Sequence, residues 1–389
     1  MATNRPKVLH LITRLAMGGA QDNTLLTVEK HDRSRFAIHL ASNCNGYWSS
    51  RAEAVAEVLH PLPHLINPIH PIKDIKALSD IVRLLDREKF DIVHTHSSKA
   101  GILGRWAARI AKAPVVVHTI HSFSFHDFMP AWQRQLYINL ERSASFCTDF
   151  FITVSELNRQ EAAKLRIVSL KNSQTVYSGI DFDKLDQPAN LPQIRQQLDI
   201  PSGWQVVVMI GRLDPQKAPQ LLLEAFAQVL KHHSETLLLF VGEGELQPAL
   251  KIQAQQLRIS DRTRFLGSRM DVPDILKVAD IFALSSLWEG LGRAMTEAML
   301  LGKPVVVPDI YGIPEIVHPD QTGLLFPVGD VDQLATHLCY LLQHPEERQR
   351  LGENAKQLTR QLFDADHMVQ QIEQIYNRLL SSKTTVSSA

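Results

Sequence analysis

The sequence has few cysteines, no net charge and no long hydrophobic run. Its three cysteines, among 389 residues, lie far apart without a Cys-x-x-Cys pair, which argues against a disulfide framework and a structural zinc site. Lys and Arg together number 41, as do Asp and Glu, whereas a nucleic-acid-binding protein normally has a basic excess. No apolar run approaches the ~18–20 residues that a membrane-spanning helix needs. We therefore expect a soluble cytoplasmic protein without nucleic acid among its partners.

The order of apolar and amphipathic segments predicts an α/β protein with two domains. Short runs rich in Val and Ile alternate with helix-like segments in the first half, and the alternation starts again after residue 200. Such uninterrupted strands are usually buried on both faces of a parallel sheet, and their alternation with helices indicates βαβ units. The weakly periodic stretch 177–202 suggests a linker near Asp186–Pro201. The predicted domains are residues 1–185 and 202–363, followed by a helix over residues 364–380.

Two cations follow the predicted strand Val206–Ile210, at the edge of a sheet where ligands bind in open α/β folds. Arg212 and Lys217 precede or begin the next helix, where the helix dipole is positive and gives a cation no benefit. An anion such as a diphosphate between the two side chains would explain this placement. As a surface pair they would be slightly unfavourable.

Two carboxylates follow the predicted strand Ile281–Leu284. Glu289 begins a glycine-rich loop, whose exposed N–H groups suit an anion or sugar hydroxyls; the loop residues are Gly290, Leu291 and Gly292. Glu297 lies in the apolar helix AMTEAML, where a charge is costly without a partner. Acidic residues near a helix N-terminus also stabilise the helix, and this alternative fits Glu289 better than Glu297.

Two weaker candidates lie in the first half. Gly18 and Gly19 follow the first strand and would let the backbone approach a ligand, although a plain tight turn explains them as well. There is no G-x-G-x-x-G at this turn, so a dinucleotide site is not supported. His121 falls at the end of the strand Val115–Ile120, where it could reach a ligand or serve as a structural histidine.

A metal site built from the histidines of this half is not expected. His94, His96, His118 and His121 lie on or beside neighbouring predicted strands, but no carboxylate lies near them in sequence to complete such a site. We therefore predict no metal.

Aromatic and basic residues are interleaved over Phe123–Tyr137. This pattern has two possible explanations. The segment contacts a membrane interface or an oily acceptor, or its aromatic residues pack in the core. Residues 1–190 hold 23 basic and 18 acidic side chains, and this excess hints at an anionic partner or a membrane surface.

Several motifs together resemble the retaining glycosyltransferases of family 4, which have the GT-B architecture. The resemblance covers about Lys7 to Leu380 and is most specific at Glu289-x7-Glu297 within EGLGRAMTEAMLLGKPVVVPD. It is supported by GRLDPQKAP, VGEGEL and the IPEIV…TGLLFPVGD ending, and HTHSSKAGILGRWAARIAKAPVVVHTIHSF is similar to bacterial polysaccharide-assembly members. The implied fold is two Rossmann-like, doubly wound parallel-sheet domains facing across a cleft, with the C-terminal helix packed back on the N-terminal domain.

The resemblance also implies roles in binding a nucleotide-sugar donor. Glu297 would bind the ribose hydroxyls, and Glu289 with the N–H groups of Gly290, Leu291 and Gly292 would hold the sugar hydroxyls. Arg212 and Lys217 would neutralise the diphosphate.

Further roles are implied outside the two acidic motifs. Gly18 and Gly19 would approach the diphosphate or the acceptor, His121 would contact the donor sugar at the reaction centre, and the loop Gly267–Arg269 would line the base pocket. Two departures from the family pattern concern the acceptor side: Ser122 replaces the usual glycine after the histidine, and Tyr311–Gly312 replaces a glycine pair.

The implied activity is retaining, metal-independent transfer of a hexose-type sugar. The donor would be a UDP- or GDP-linked sugar, acting as a substrate, and no cofactor is expected. The acceptor would be a hydroxyl of a saccharide or lipid-linked molecule, with peripheral contact at the inner membrane face. The alternatives are an epimerase or hydrolase of nucleotide sugars with the same fold, and a non-catalytic nucleotide-sugar-binding subunit.

Overall fold

The structure, a computed structural model, describes residues 5–387 of the chain. Its contacts divide the chain into two units, one that runs up to Ile180 and resumes at Phe363, and one of Asp181–Leu362. The segment predicted as a linker, Asp186–Pro201, belongs to the second unit instead. It contains a short helix, and three of its apolar side chains are buried: Ile194, Leu198 and Ile200.

The first unit is built around a seven-stranded parallel sheet with the order β3-β2-β1-β4-β5-β6-β7. Its strands are β1 (Lys7–Arg14), β2 (Ala37–Asn43), β3 (Val58–Pro61), β4 (Ile92–His96), β5 (Val115–Ile120), β6 (Phe150–Thr153) and β7 (Ser173–Thr175). The connecting helices are α1 (Gly19–Lys30), α2 (Ser49–Val55), α3 (Pro71–Glu88), α4 (Ser98–Ile110), α5 (Ala131–Ser145) and α6 (Glu156–Lys164).

The second unit has a six-stranded parallel sheet with the order β10-β9-β8-β11-β12-β13. Its strands are β8 (Gln205–Ile210), β9 (Thr236–Val241), β10 (Thr263–Phe265), β11 (Ile281–Ala283), β12 (Val305–Pro308) and β13 (Leu324–Phe326). Its helices are α7 (Phe182–Leu185), α8 (Leu191–Gln197), α9 (Pro219–Val229), α10 (Gln247–Gln256), α11 (Val272–Val278), α12 (Arg293–Leu300), α13 (Val331–Gln343) and α14 (Pro345–Leu362).

These two sheets confirm the predicted fold class of two Rossmann-like domains. The first unit is completed by the C-terminal helix α15 (Ala365–Ser387), which packs on the same face of the sheet as α1. Strand β1 is buried on both faces, because Val8 and Ile12 pack on the α15 side while Leu9 and Leu11 pack on the opposite side. An uninterrupted apolar strand requires this arrangement.

The strand order reverses at one point in each sheet, between β1 and β4 in the first unit and between β8 and β11 in the second. At such a point the loops after the two strands diverge, which opens a crevice at their carboxyl ends where ligands bind. The chain therefore offers a candidate site in each unit. None of the helices in the described part of the chain combines the length and the hydropathy that a membrane span requires.

Candidate functional site

The crevice of the second unit brings together Lys217, which follows β8, and Glu289, which follows β11. The ammonium Nζ of Lys217 contacts Glu289 Oε1, and Ser286 Oγ donates a hydrogen bond to the same oxygen over 2.8 Å. Glu289 is only 8% exposed, so its charge needs these two partners. The structure thus joins one predicted cation and one predicted carboxylate directly.

Hydrogen bonds between the two loops hold this pair in place. Leu287 N donates to Gln216 O over 2.8 Å, and Gln216 Nε2 donates to Trp288 O over 3.0 Å. Ser285 Oγ donates to Ala218 O over 2.9 Å. The two loops therefore form one connected structure, which favours a fixed position for the side chains that they carry.

The second predicted cation, Arg212, lies on the same loop as Lys217 and is more exposed. Its guanidinium lies 3.1 Å from Asp214 Oδ2 and donates to Gln216 Oε1 over 2.8 Å. More than half of the Arg212 side-chain surface is exposed, at 56%. An anionic ligand could therefore contact it without displacing buried groups.

The VGEGEL segment after β9 packs tightly against the loop after β8. A side chain at Gly244 would place its Cβ 2.2 Å from Leu213 O, and one at Gly242 would place it 2.1 Å from Gly211 O. Gly242 also has a positive φ of 133°. These glycines are needed because two backbones approach each other closely here.

The glycine-rich loop leads into helix α12 through Gly292, whose φ of 93° is in the left-handed region. Glu297, one turn into α12, is half-buried, and its Oε1 lies 3.2 Å from Arg293 Nε. Sequence reasoning identified Glu297 as a charge in need of a partner but missed Arg293, although their spacing of four residues is typical of a helical ion pair.

Arg269 lies on the loop after β10, at the edge strand of the same sheet. It forms an ion pair with Asp271 over 2.6 Å, and a hydrogen bond from Arg269 lowers the pKa of the Asp271 carboxyl. Gly267 O accepts a hydrogen bond from Gly242 N over 2.8 Å, which fastens this loop to the one after β9. Arg269 thus lies two strands from β8, at the same carboxyl edge as Lys217.

In the first unit, Gly18 lies between β1 and α1 with an extended φ of 168° that any residue can adopt. Gly19 begins α1. A Cβ at Gly18 would meet only the end of the Gln21 side chain, at 2.7 Å, so the backbone there does not require glycine. The predicted close approach of a ligand at Gly18 and Gly19 remains a prediction.

His121 directly follows β5 and begins a chain of hydrogen-bonded rings on the α15 face of the sheet. Its Nε2 lies 3.1 Å from His96 Nδ1, and His96 Nε2 lies 3.0 Å from His10 Nδ1. His10 Nε2 lies 3.2 Å from His31 Nε2, and His31 Nδ1 lies 3.0 Å from Glu373 Oε1. We call these five residues the histidine chain. The sequence placed His96 and His121 on or beside neighbouring strands, but it gave no signal for His10, His31 and Glu373, which come from β1, the end of α1 and α15.

Three buried rings lie close enough together to raise the question of a metal site. The ligand nitrogens of His10, His94 and His96 all lie within 4.8 Å of one another. His94 is hydrogen-bonded to Tyr376 Oη and to Thr119 Oγ1, and the other two rings use both nitrogens within the histidine chain. The group contains no carboxylate, and a metal ion would have to displace these bonds. Its geometry is that of a hydrogen-bonded core.

The aromatic side chains before and within α5 differ in their exposure. Phe125 is buried and stacks on Phe123 with a centroid separation of 4.7 Å. Trp132 and Phe128 instead are 71% and 55% exposed. Packing in the core therefore explains one part of this segment, and the other part is exposed and open to contact with a membrane or an acceptor.

Comparison with known protein families gives two matches that together span most of the chain. Residues 17–184 match the family described as Glycosyltransferase Family 4. Residues 191–358 match the family described as Glycosyl transferases group 1. The first match begins after β1 and ends within α7, and the second covers the sheet of the second unit.

Individual relatives and solved structures agree with these matches. The chain is 33% identical over 336 residues to an Escherichia coli UDP-Gal:α-D-GlcNAc-diphosphoundecaprenol α-1,3-galactosyltransferase, covering 85% of this chain and 87% of the relative. It is 26% identical to the putative glycosyltransferase EpsD of Bacillus subtilis, covering 84% and 86%. The structure of Anabaena HepE in complex with UDP and glucose superposes with a TM-score of 0.83 at 23% identity, covering 96% of this chain and 100% of that one.

Proposed function

Because the chain belongs to glycosyltransferase family 4, we propose that it transfers a hexose from a UDP-sugar to a hydroxyl of a lipid-diphosphate-linked saccharide, with retention of configuration and without a metal ion. The observation that carries this proposal is the contact of Lys217 with Glu289 at the strand-order reversal of the second unit. A cation for a diphosphate and a carboxylate for sugar hydroxyls lie side by side there.

We assign donor binding to the second unit. Lys217 and Arg212 bind the diphosphate, since both lie on the loop after β8. Glu289 accepts hydrogen bonds from the sugar hydroxyls, and the N–H groups of the loop beside it donate to the sugar; these belong to Gly290, Leu291 and Gly292. Glu297 accepts from the ribose hydroxyls, and the loop that carries Arg269 lines the base.

The chemistry needs positive charge where negative charge develops. Cleavage of the sugar–phosphate bond leaves a diphosphate anion and gives the sugar ring positive character. Lys217 and Arg212 stabilise the departing diphosphate, and groups that are already positioned for this charge act most strongly. Attack by the acceptor hydroxyl on the face that the diphosphate leaves, with a phosphate oxygen taking the proton, retains the configuration.

Metal independence is supported by the role that the acidic triplets of this chain play. Three Asp-x-Asp triplets occur in the sequence, beginning at Asp181, Asp330 and Asp364. Each first carboxylate accepts a backbone N–H at the start of a helix: Lys184 N over 3.4 Å, Gln333 N over 2.9 Å and His367 N over 2.7 Å. These carboxylates are helix caps.

We assign the acceptor to the first unit, with His121 and the turn at Gly18 and Gly19 contacting the reacting sugars. The Escherichia coli relative is named for a lipid-diphosphate acceptor, and an acceptor of that class needs the enzyme at the inner membrane face. The exposed Trp132 and Phe128 and the basic excess of residues 1–190 support peripheral contact there.

The test is a product analysis with the full chain. UDP-galactose, UDP-glucose and GDP-mannose are each incubated in excess EDTA with α-GlcNAc-diphosphoundecaprenol and without it, and the products are identified by mass spectrometry and NMR. We expect an α-linked disaccharide from a UDP-sugar only when the acceptor is present. Free sugar or an isomerised donor without acceptor would favour a hydrolase or epimerase. Donor binding without turnover would favour a non-catalytic subunit, and strict dependence on added Mg²⁺ would contradict metal independence.

A further inference from the structure

The histidine chain connects the predicted catalytic residue His121 with a carboxylate on the C-terminal helix. We propose that Glu373 acts as a positioning residue, which through His31, His10 and His96 holds His121 in the tautomer with hydrogen on Nε2. In this tautomer the Nδ1 atom of His121 carries a lone pair and no hydrogen. This inference rests on the proposed function, because His121 matters for catalysis only if it meets the donor sugar.

Glu373 determines the direction of donation along the hydrogen bonds of the histidine chain. This side chain is 5% exposed, and its Oε1 accepts from both His31 Nδ1 and Asp32 N, the second over 2.9 Å. Burial raises the pKa of Glu373, but the hydrogen bonds from His31 and Asp32 N and the charge of Arg35, 3.3 Å from Oε2, lower it overall. An ionised carboxylate can only accept hydrogen bonds. The hydrogen of His31 is therefore on Nδ1.

The tautomers of His10 and His96 follow from that of His31. Burial lowers the pKa of His31, and it lowers the pKa of His10 and His96 well below the usual value, so all three rings are neutral. A neutral imidazole has one donor and one acceptor nitrogen. Since His31 Nε2 is an acceptor, His10 must donate to it from Nε2. His10 Nδ1 is then an acceptor, and His96 must donate to it from Nε2.

His121 is the last ring, and its tautomer follows. His96 Nδ1 accepts, so His121 donates from Nε2 across the 3.1 Å contact, and in the neutral His121 ring the lone pair is then on Nδ1. A ring in this tautomer accepts a hydrogen bond from a sugar hydroxyl and cannot donate one from Nδ1. One carboxylate thereby sets the hydrogen-bonding character of a residue four contacts away.

Helix α15 places the carboxylate of Glu373 at the end of the row of histidine rings. His10 and His96 occupy neighbouring strands on the face that α15 covers, and α15 brings Glu373 to one end of the row. Tyr376, one turn later on α15, is hydrogen-bonded to His94 beside the row. Without Glu373, every bond in the chain could reverse together, and His121 would present an N–H at Nδ1.

The first experiment reads the tautomers directly in the wild-type full chain. Protein labelled with ¹⁵N-histidine is examined by long-range ¹H–¹⁵N NMR, and signals are assigned by replacing each ring in turn. We expect hydrogen on Nδ1 of His31 and on Nε2 of His10, His96 and His121. Hydrogen on Nδ1 of His121, or a charged ring within the row at pH 7.5, would overturn the proposal. No substrate is present, so this result does not depend on the proposed function.

The second experiment compares two substitutions of nearly equal size. Glu373→Gln keeps an oxygen that accepts from His31, whereas Glu373→Leu removes the acceptor. We expect Glu373→Gln to keep the His121 tautomer and to stay within a few-fold of wild-type kcat/KM. We expect Glu373→Leu to show hydrogen on Nδ1 of His121 and a roughly 10–100-fold lower kcat/KM, because the sugar hydroxyl would lose its acceptor on that ring.

The matched control is Asp366→Asn, which removes another contact of α15 with the end of α1, the 2.9 Å ion pair with Lys30, but does not touch the histidines. It should change neither the tautomers nor kcat/KM. Equal losses in Asp366→Asn and Glu373→Leu would show that α15 acts only as a structural support. If Glu373→Leu does not fold, the wild-type spectrum still decides. Unchanged activity in His121→Ala with the expected tautomers would refute the role of His121 while leaving the direction of the chain intact.

Discussion

The ammonium group of Lys217 lies against the carboxylate of Glu289, with Ser286 Oγ as a further donor to the same oxygen atom. The cation and the carboxylate therefore neutralise each other before a donor arrives. A bound diphosphate would draw Lys217 toward it, and a sugar hydroxyl would take its place on Glu289. Diphosphate and sugar recognition are coupled through this contact in the proposed reaction.

Lys217→Ala should lower kcat by about 10²–10³-fold, because a group that stabilises the departing diphosphate is lost. Lys217→Arg should recover part of the rate. The measurement is steady-state transfer, with circular dichroism to establish that the variants fold. Lys231→Ala, an exposed lysine just beyond the end of α9, is the control and should behave as wild type. Wild-type kcat in Lys217→Ala would remove this residue from the site.

Glu289 and Glu297 should be separable by calorimetry with UDP and UDP-sugar. A hydrogen bond to a charged group contributes about 1.5–3 kcal/mol, so each loss should weaken binding about 10–100-fold. Glu297→Gln should weaken UDP and UDP-sugar alike, because both carry the ribose. Glu289→Gln should weaken UDP-sugar alone. The reverse pattern would exchange the two assignments.

Stability should fall as the pH drops below about 6.5, the usual pKa of histidine in an unfolded chain. Burial lowers the pKa of His10, His94, His96 and His118 well below that value in the folded state. Below pH 6.5 the unfolded chain therefore binds more protons than the folded one, and each such ring lowers the free energy of unfolding by about 1.4 kcal/mol per pH unit.

Urea denaturation at pH 7.5, 6.5 and 5.5 measures this effect. His118→Asn can keep a hydrogen bond to Thr95, which contacts His118 Nδ1 over 2.9 Å, and should reduce the slope with pH by about one ring's share. His232→Gln removes an exposed ring and should leave the slope unchanged. A stability that stays constant from pH 7.5 to 5.5 would mean that these rings are not neutral in the folded protein.

Membrane contact should depend on Phe128 and Trp132. Replacing both with serine should reduce co-sedimentation with vesicles of anionic phospholipid by about tenfold or more, because the apolar area of two large side chains is lost. Phe146→Ser is the control, since Phe146 is exposed but lies at the other end of α5, roughly 20 Å away along the helix. Equal losses in both proteins would indicate non-specific adsorption.

Much of the fold was accessible from the sequence because most strands are apolar runs followed by helices with clear periodicity. The prediction missed β3 and β7, which are only four and three residues long, and it placed a linker over Asp186–Pro201, where α8 packs on the second unit. The loops after β8 and β11 stood out because charges there follow buried strands. Sequence gave no indication that Lys217 and Glu289 pair with each other, since their contact depends on the strand order.

The sequence did not predict the histidine chain, because its contacts also depend on the strand order. Its five residues come from five places in the fold: the end of β5, β4, β1, the end of α1, and α15. His121 was recognised because it follows a strand. His31 and Glu373 gave no signal, since they are separated by 342 positions.

The first unit is interrupted by the second, because its last helix is encoded after the whole of the second sheet. During synthesis the β1 and β4 strands leave the ribosome long before the helix that covers their histidines, by a delay on the order of 15–60 s at ~5–20 residues per second. The nascent chain must therefore keep a face that carries Val8, Ile12 and several histidines uncovered while the second unit is made. A protein cut short before Ala365 would retain that exposed face, and we expect it to be a target for chaperones and proteases.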